Sequence, residues 1–209
     1  MDKVMIILFI FLSNMTMSQQ TQLTEKETRE IKQKVREMAF MTRTIESDFV
    51  QEKEMNVLAE KITSRGKFLF KKDKMLRWEY LTPFPYLIII NKDRMMVKDE
   101  DKENHINLQS SKVFREVNNI IMGAIQGTLL DDVKNFSSTL LESKNHYICK
   151  LIPLNPKLKE SLGEIWLYFN KSDFMVEKLE MRDASGDYTR ITFSSKKINQ
   201  TIPDEKFAL

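Results

Sequence analysis

The chain has 209 residues, 42% hydrophobic and 30% charged, with 5 Gly and 5 Pro, a globular composition that excludes collagen-like repeats and extended disorder. Lys and Arg number 33 against 30 Asp and Glu, and a net charge of +3 is too small an excess to demand nucleic acid or an anionic membrane as partner. One Cys and two His (Cys149, His105, His146) exclude an intrachain disulfide, a zinc finger and a zinc site with three His or Cys ligands, so neither a metal nor a cofactor is expected.

Asp2 and Lys3 precede an unbroken apolar run, Val4 to Leu12, followed by the polar stretch Ser13 to Ser18. Such a run makes only ~14 Å of helix, short of the ~30 Å hydrocarbon core, so it reads as a signal peptide over residues 1–18 and not as a membrane span. Thr16 and Ser18 are small residues at the spacing signal peptidase favours, which puts cleavage near Ser18/Gln19. No Cys follows the run, as lipid attachment there would need. The expectation is a soluble, exported protein with one domain over 19–209, monomeric and large enough to be stable without disulfides.

Thr24 and Glu27 form a capping-box pattern, and Ile31, Val35, Met38, Thr42, Ile45 and Phe49 follow at spacings of three or four, which predicts an amphipathic helix with one apolar stripe. From Phe49 the period changes to two. Phe68 and Phe70 oppose Lys67 and Lys71; Leu76, Trp78 and Tyr80 oppose Arg77 and Glu79; both segments read as strands with an aromatic and a charged face. After Pro83 and Pro85, Leu87 to Ile90 is continuously apolar, and Met95 and Val97 resume the alternation beyond the turn Asn91-Lys92-Asp93. Phe114, Val117, Ile121 and Ile125 recur at helical spacing across Val113 to Leu130, loosened by Gly123 and Gly127. Strands return at Tyr147–Ile152, Glu164–Phe169, Phe174–Arg182 and Tyr188–Ser194, and connections of about four residues make neighbours antiparallel. The pattern predicts an α+β fold, mainly antiparallel β, with a long curved sheet and a few helices.

Chemistry is sparse. Phosphate-loop, dinucleotide, nucleophile-elbow and zinc-protease signatures are absent, and the acidic stretch Asp99 to Glu103 has Asn104 and Ser110 where a calcium loop needs Gly and Glu. His146 and Cys149 are three apart on a strand and therefore face opposite sides. No catalytic residue is assigned, although a carboxylate pair assembled in space, as in a hydrolase, leaves no mark in sequence. The abundance of Met and Phe, 13 of each, fits either a core packed between sheet and helices or an adaptable apolar cavity.

The ordered set Phe49-Val50-Gln51, Gly66-Lys67-Phe68-Leu69-Phe70-Lys71-Lys72, Leu76-Arg77-Trp78-Glu79-Tyr80-Leu81-Thr82-Pro83, Cys149 to Pro153, Ile165 to Phe169, Leu179 to Asp183 before Gly186, Ile191-Thr192-Phe193 and Ile202-Pro203 to Phe207 resembles the outer-membrane lipoprotein carrier family, LolA. The resemblance implies a single unclosed curved β-barrel covered by a helical lid, a periplasmic location and a non-enzymatic carrier that moves lipoproteins from inner to outer membrane. It implies as partners the acyl chains of lipoproteins, an inner-membrane lipoprotein-releasing ABC transporter and an outer-membrane acceptor, LolB or its equivalent. By the same resemblance Phe68, Phe70, Leu76, Trp78 and Tyr80 line an acyl-chain cavity. Neighbouring apolar positions Phe49, Leu87, Ile89, Met95, Val97 and Leu151 extend it, and Val117, Ile121 and Ile125 form the lid. Where the family commonly has a basic residue, often a lid-holding Arg, followed by Pro, this chain reads Lys71-Lys72-Asp73; Lys72 is the candidate lid or partner contact, without the planar fork of Arg. An alternative cargo is a free lipid, glycolipid or lipid-linked pigment, and a lipoprotein-sensing domain or a filled interaction module are further readings.

Overall fold

Thr24 starts the first helix as the sequence predicts: its hydroxyl accepts from Glu27 N at 3.3 Å while the Glu27 carboxylate accepts from Thr24 N at 2.9 Å. In the computed structural model, which describes residues 20–55, 61–72, 74–99, 102–108, 112–183 and 185–209, this helix is α1, Glu25–Met41. The leader 1–18 lies outside the described residues. Helix α1 stops at Thr42, whose hydroxyl donates to Met38 O at 2.8 Å, and Thr44–Glu54 is strand β2. The apolar stripe read through Ile45 and Phe49 is thus interrupted. A four-residue spacing is shared by helix and strand, so the period alone does not reveal the change.

Strand β1 (Thr21–Gln22) precedes α1, and β3 (Lys61–Lys71), β4 (Met75–Thr82), β5 (Tyr86–Asn91), β6 (Arg94–Asp99) and β7 (Lys102–Asn107) continue from β2 as a meander. Helix α2 (Lys112–Ile125) and a 3-10 turn (Thr128–Asp131) follow. A second meander comprises β8 (Phe136–Glu142), β9 (His146–Pro153), β10 (Glu164–Asn170), β11 (Val176–Arg182) and β12 (Tyr188–Ile198), with α3 (Pro156–Ser161) between β9 and β10. Every neighbouring pair is antiparallel. The sheet has 12 strands in the order β1-β8-β9-β10-β11-β12-β2-β3-β4-β5-β6-β7. Strand β12 joins the meanders by pairing with β2, and β1 and β7 remain as the two unpaired ends, so the barrel is unclosed.

Curvature follows from the core. Buried residues from β2 to β6 and from β8 to β12, with Ile31 and Val35 of α1, belong to one apolar cluster. A flat sheet of this many strands, spaced about 4.8 Å apart, would be too wide to share one core. A smaller cluster lies on the outer face: Ile89 and Met96 are covered by Ile202 and Phe207, with Leu69, Met75, Leu87 and Leu209 packed against them. The C-terminal segment is pinned there by Lys71 Nζ donating to Ile202 O at 2.8 Å and Asn91 Nδ2 donating to Phe207 O at 3.1 Å.

Strands β1, β7 and β8 have no counterpart in the sequence reading. Strand β7, Lys-Glu-Asn-His-Ile-Asn, is an edge strand whose charged side chains hide its extended character. The acidic stretch does form a hairpin end, with Asp99 opposite Lys102; its tip, Glu100 and Asp101, lies outside the described residues.

Candidate functional site

The inner face of β2, β3 and β4 is built by aromatic side chains at alternating positions. Phe49 and Phe68 meet Trp78 edge-on, with ring centroids 5.2 and 5.1 Å apart, and Phe193 of β12 joins at 5.4 Å from Phe68 and 6.0 Å from Trp78. Gly66, opposite Phe49, permits the packing: a Cβ there would lie 1.9 Å from Glu79 O and 2.7 Å from the Phe49 ring.

Between this wall and the helices lies an apolar cavity of about 50 Å³. Its described lining comes from α1 (Val35, Met38, Ala39), β2 (Ile45, Ser47), the aromatic wall (Phe68, Trp78, Phe193), α2 (Ile121, Ala124, Ile125) and the β10–β11 region (Phe169, Phe174, Met175, Val176, Leu179), with Lys196 at the edge. Ser47 Oγ lies 2.8 and 2.9 Å from the main-chain oxygens of Asp48 and Ser194, and Lys196 Nζ pairs with Asp173 at 2.8 Å. The Trp78 indole N–H is buried without a partner among the described residues, at a desolvation cost of about 1–3 kcal/mol.

Of the residues assigned from sequence, Phe68, Trp78, Ile121 and Ile125 line this cavity. Phe49, Phe70, Leu76, Met95 and Leu151 are fully buried in the same core behind the lining, and half-buried Tyr80 and Val97 pack against it. Leu87 and Ile89 do not belong there: they face outward under the C-terminal segment, while Ile88 and Ile90 face in. The run Leu87 to Ile90 is continuously apolar because β5 is covered on both faces, a pattern that conceals which positions point inward. Val117 lies in the first half of α2, where side chains are outside the described set.

The cover also differs from the assignment. Among the described residues helix α1 contributes as much lining as α2, and the 3-10 turn after α2 is tied to α1 by Lys32 Nζ donating to Leu130 O at 2.6 Å and by Arg36 pairing with Asp131 at 2.5 Å. Gly127, at φ +69°, lets this turn approach α1; a Cβ would meet Val35 Cγ1 at 3.1 Å. Among the described residues Lys72 reaches α1: its ammonium donates to Phe40 O at 3.1 Å and sits 4.7 Å from the Phe40 ring centroid.

The sequence reading missed the α1 contribution, whose apolar stripe it saw without placing, and the β10–β12 side, where Phe169, Leu179 and Phe193 obey the same alternation. Phe174 and Met175 follow a turn with Phe174 at φ +54°, a conformation set by tertiary packing.

The described cavity lining holds one hydroxyl, already engaged with main-chain oxygens, and one ammonium, already paired. Cys149 lies in the core behind it, fully buried, and burial pushes its thiol up to about 12, far from a nucleophile's range. His146 faces the other side of β9, 3.3 Å from the Glu177 carboxylate. Tyr80 is likewise pushed up to about 12 by burial, and its hydroxyl donates to Gln51 Oε1 at 2.9 Å. What this arrangement offers is apolar contact with some room to repack. Among the described residues no helix is long and apolar enough to cross a membrane.

Comparison with known proteins agrees with this architecture. The model of the family described as outer membrane lipoprotein carrier protein LolA matches residues 41–209. An outer-membrane lipoprotein carrier protein of Francisella philomiragia is 26% identical over 149 residues, covering 71% of this chain and 68% of the relative. One of Chromobacterium violaceum is 23% identical over 170 residues, covering 80% and 77%. Among solved structures, an uncharacterized conserved protein from Thermus thermophilus shares the fold with a TM-score of 0.52 at 10% identity, covering 87% of this chain and 92% of that one. With the family match spanning β2 to the C-terminal segment, the chain belongs to the outer-membrane lipoprotein carrier family, LolA.

Proposed function

We propose that this protein is a periplasmic carrier that shields the acyl chains of lipoproteins and ferries them from the inner to the outer membrane, without catalysis. The observation that carries the reading is the apolar cavity whose wall runs from the aromatic face of β3 and β4 to the undersides of α1 and α2. Family membership supplies the cargo class. Residues 1–18 act as a cleaved signal peptide, and 19–209 form one carrier domain.

An acyl chain of ~16 carbons costs on the order of 10 kcal/mol to expose to water, at roughly 0.8 kcal/mol per CH₂. A carrier must match that environment and still release its load, which favours non-directional contacts over a rigid site. At about 50 Å³ the cavity is smaller than the ~150 Å³ that holds a benzene molecule. Loading therefore requires α1 and α2 to part from the sheet, and the conformation described above is the closed one. With no nucleotide-binding motif in the chain, the drive comes from partners: an inner-membrane ABC transporter as donor and LolB or its equivalent as acceptor. In this reading Lys72, whose ammonium donates to Phe40 O in the last turn of α1, influences opening.

A photo-crosslinking amino acid at Trp78, irradiated in cells, tests the reading. Recovery of several lipoproteins is the expected result; recovery of free lipid or glycolipid alone would overturn the assigned cargo, and recovery of neither would overturn the carrier.

A further inference from the structure

Helix α2 has two working sides. Ile121, Ala124 and Ile125 face the apolar cavity, whereas Asn118, Asn119 and, just past the helix end, Gln126 line a separate open cleft of about 640 Å³. The floor of that cleft includes buried Leu108, Ile120, Met122 and Phe136, and Thr128, Asn135 and Asn155 continue the polar rim. The Asn118 carboxamide oxygen is shielded from solvent and has no hydrogen-bond partner among the described residues. An orphaned acceptor of this kind is destabilising, so a rotation of the Asn118 side chain that brings it to a donor lying in the cleft is favourable.

We propose that this cleft binds the peptide stretch that follows the acylated residue of the cargo. The inference rests on the carrier reading above and specifies a second site for the same load. Each backbone unit of an extended peptide offers one donor and one acceptor, and a carboxamide provides both, so Asn118, Asn119 and Gln126 pair with any peptide irrespective of sequence, while Asn135 and Asn155 are already engaged with Asp132 and Leu158 N. Side chains alternate along an extended chain, and every second one is directed at the apolar floor. Charge favours the same ligand: Lys74 and Lys92 at the edge are matched by Asp93 and Asp132, which leaves no net field to select an anionic headgroup. Helix α2 lines both sites. A helix is about 10–12 Å across and an extended chain advances about 3.3 Å per residue, so three or four residues carry the cargo from the cavity to the cleft.

The test uses the full exported chain and a synthetic tripalmitoylated cysteine, alone or extended by uncharged polar tails of two, four and six residues. Affinity is read by displacement of a fluorescent fatty acid. The expected result is a gain of about five- to tenfold for tails of four residues or more and none for two, the size of gain that one or two satisfied hydrogen bonds provide. In Asn118→Leu and in Gln126→Ala the ratio of affinities with and without the six-residue tail falls toward one. Asn118→Leu removes an unsatisfied group, so its thermal stability is expected to equal or exceed that of the parent, which separates a lost contact from a damaged fold. A parent that binds tailed and tail-less lipid equally overturns the cleft assignment and leaves the carrier standing. The cleft assignment also falls if a disaccharide of similar length gives the same gain, or if the gain survives both substitutions. Displacement by none of the probes overturns the carrier reading and the cleft with it.

Discussion

The two faces of the same sheet are held together by different physics. On the inner face Phe49, Phe68, Trp78 and Phe193 meet ring to ring, and the one indole N–H among them is left without a partner among the described residues. On the outer face of β10, β11, β12 and β2, Glu180 is only 3% exposed. There it accepts from Arg190 Nε at 2.9 Å and Tyr168 OH at 3.3 Å, with Lys178 Nζ at 3.2 Å. Arg190 continues to Glu52 at 3.3 Å, and Glu52 pairs with Lys61. Directional bonds thus hold the outside of the wall, and shape-tolerant contacts fill the inside. Such a division lets the interior repack around a load while the sheet keeps its curvature.

The comparison breaks most visibly on large deletions. Phe68→Ala on the inner face and Phe207→Ala on the outer should each lower unfolding free energy by about 3–5 kcal/mol, because both rings are fully buried. Denaturant unfolding with and without a saturated fatty acid separates them. If the inner face is the binding surface, ligand at 100 times the parent's dissociation constant adds about 2.7 kcal/mol to the parent and to Phe207→Ala, whose ring sits under the C-terminal segment and whose inner face is intact, and a different amount to Phe68→Ala, whose affinity is altered. Equal restoration of the two variants would mean that the faces do not differ in this respect.

Next in size is the outer network. Burial pushes the Glu180 carboxyl upward, but Lys178 and Arg190 outweigh it and hold the group below its ordinary value of 4.5. Glu180→Ala removes the carboxylate shared by Lys178, Arg190 and Tyr168, leaves Arg190 with Glu52 alone, and should cost about 2–3 kcal/mol, less than a fully buried pair because Lys178 and Arg190 are partly solvated. A depressed carboxyl contributes stability that is present above its unfolded value and is lost as pH falls through the folded one. The parent should therefore lose stability below about pH 4.5, and Glu180→Ala should show a shallower loss over that range in thermal melts taken from pH 7 to 3.

How much of this is legible in the sequence depends on whether a segment has one covered face or two. Strands with a single covered face announce themselves: Phe68 and Phe70 alternate with Lys67 and Lys71, and Leu76 and Trp78 with Arg77 and Glu79, so the period of two separates the apolar face from the charged one. Strand β5 does not, since its outer positions Leu87 and Ile89 lie under residues more than a hundred positions away in sequence. The edge strands β1 and β7 are lost for the opposite reason, as neither needs an apolar face. The cavity is legible as an aromatic wall, yet its closing surfaces on α1 and β10–β12 depend on how the two meanders meet at β12 and β2, a contact that no local pattern encodes. Asn118 and the amide rim of the cleft give no sequence signal, because isolated Asn and Gln on a helix read as ordinary solvated positions.

Lys72 gives the smallest expected effect and bears on which helix moves. It sits at the end of β3, where its main-chain N–H donates to Arg43 O at 2.7 Å and its ammonium caps the last turn of α1 at Phe40 O while lying 4.7 Å from the Phe40 ring. A cation at a helix C-terminus, exposed to solvent, contributes about 0.5 kcal/mol, so Lys72→Ala should lower the melting temperature by about 1–2 °C. The kinetic consequence is larger in meaning than in size. If α1 must lift for an acyl chain to enter, releasing its last turn speeds uptake of a fluorescent fatty acid about twofold in stopped flow, the factor that 0.5 kcal/mol removed from the barrier provides. Lys72→Arg, which keeps the charge and adds donors, should leave the rate at or below that of the parent. If α2 alone opens, neither substitution changes the rate, because among the described helical residues the Lys72 side chain meets α1; the cover would then be one mobile helix resting against one fixed one.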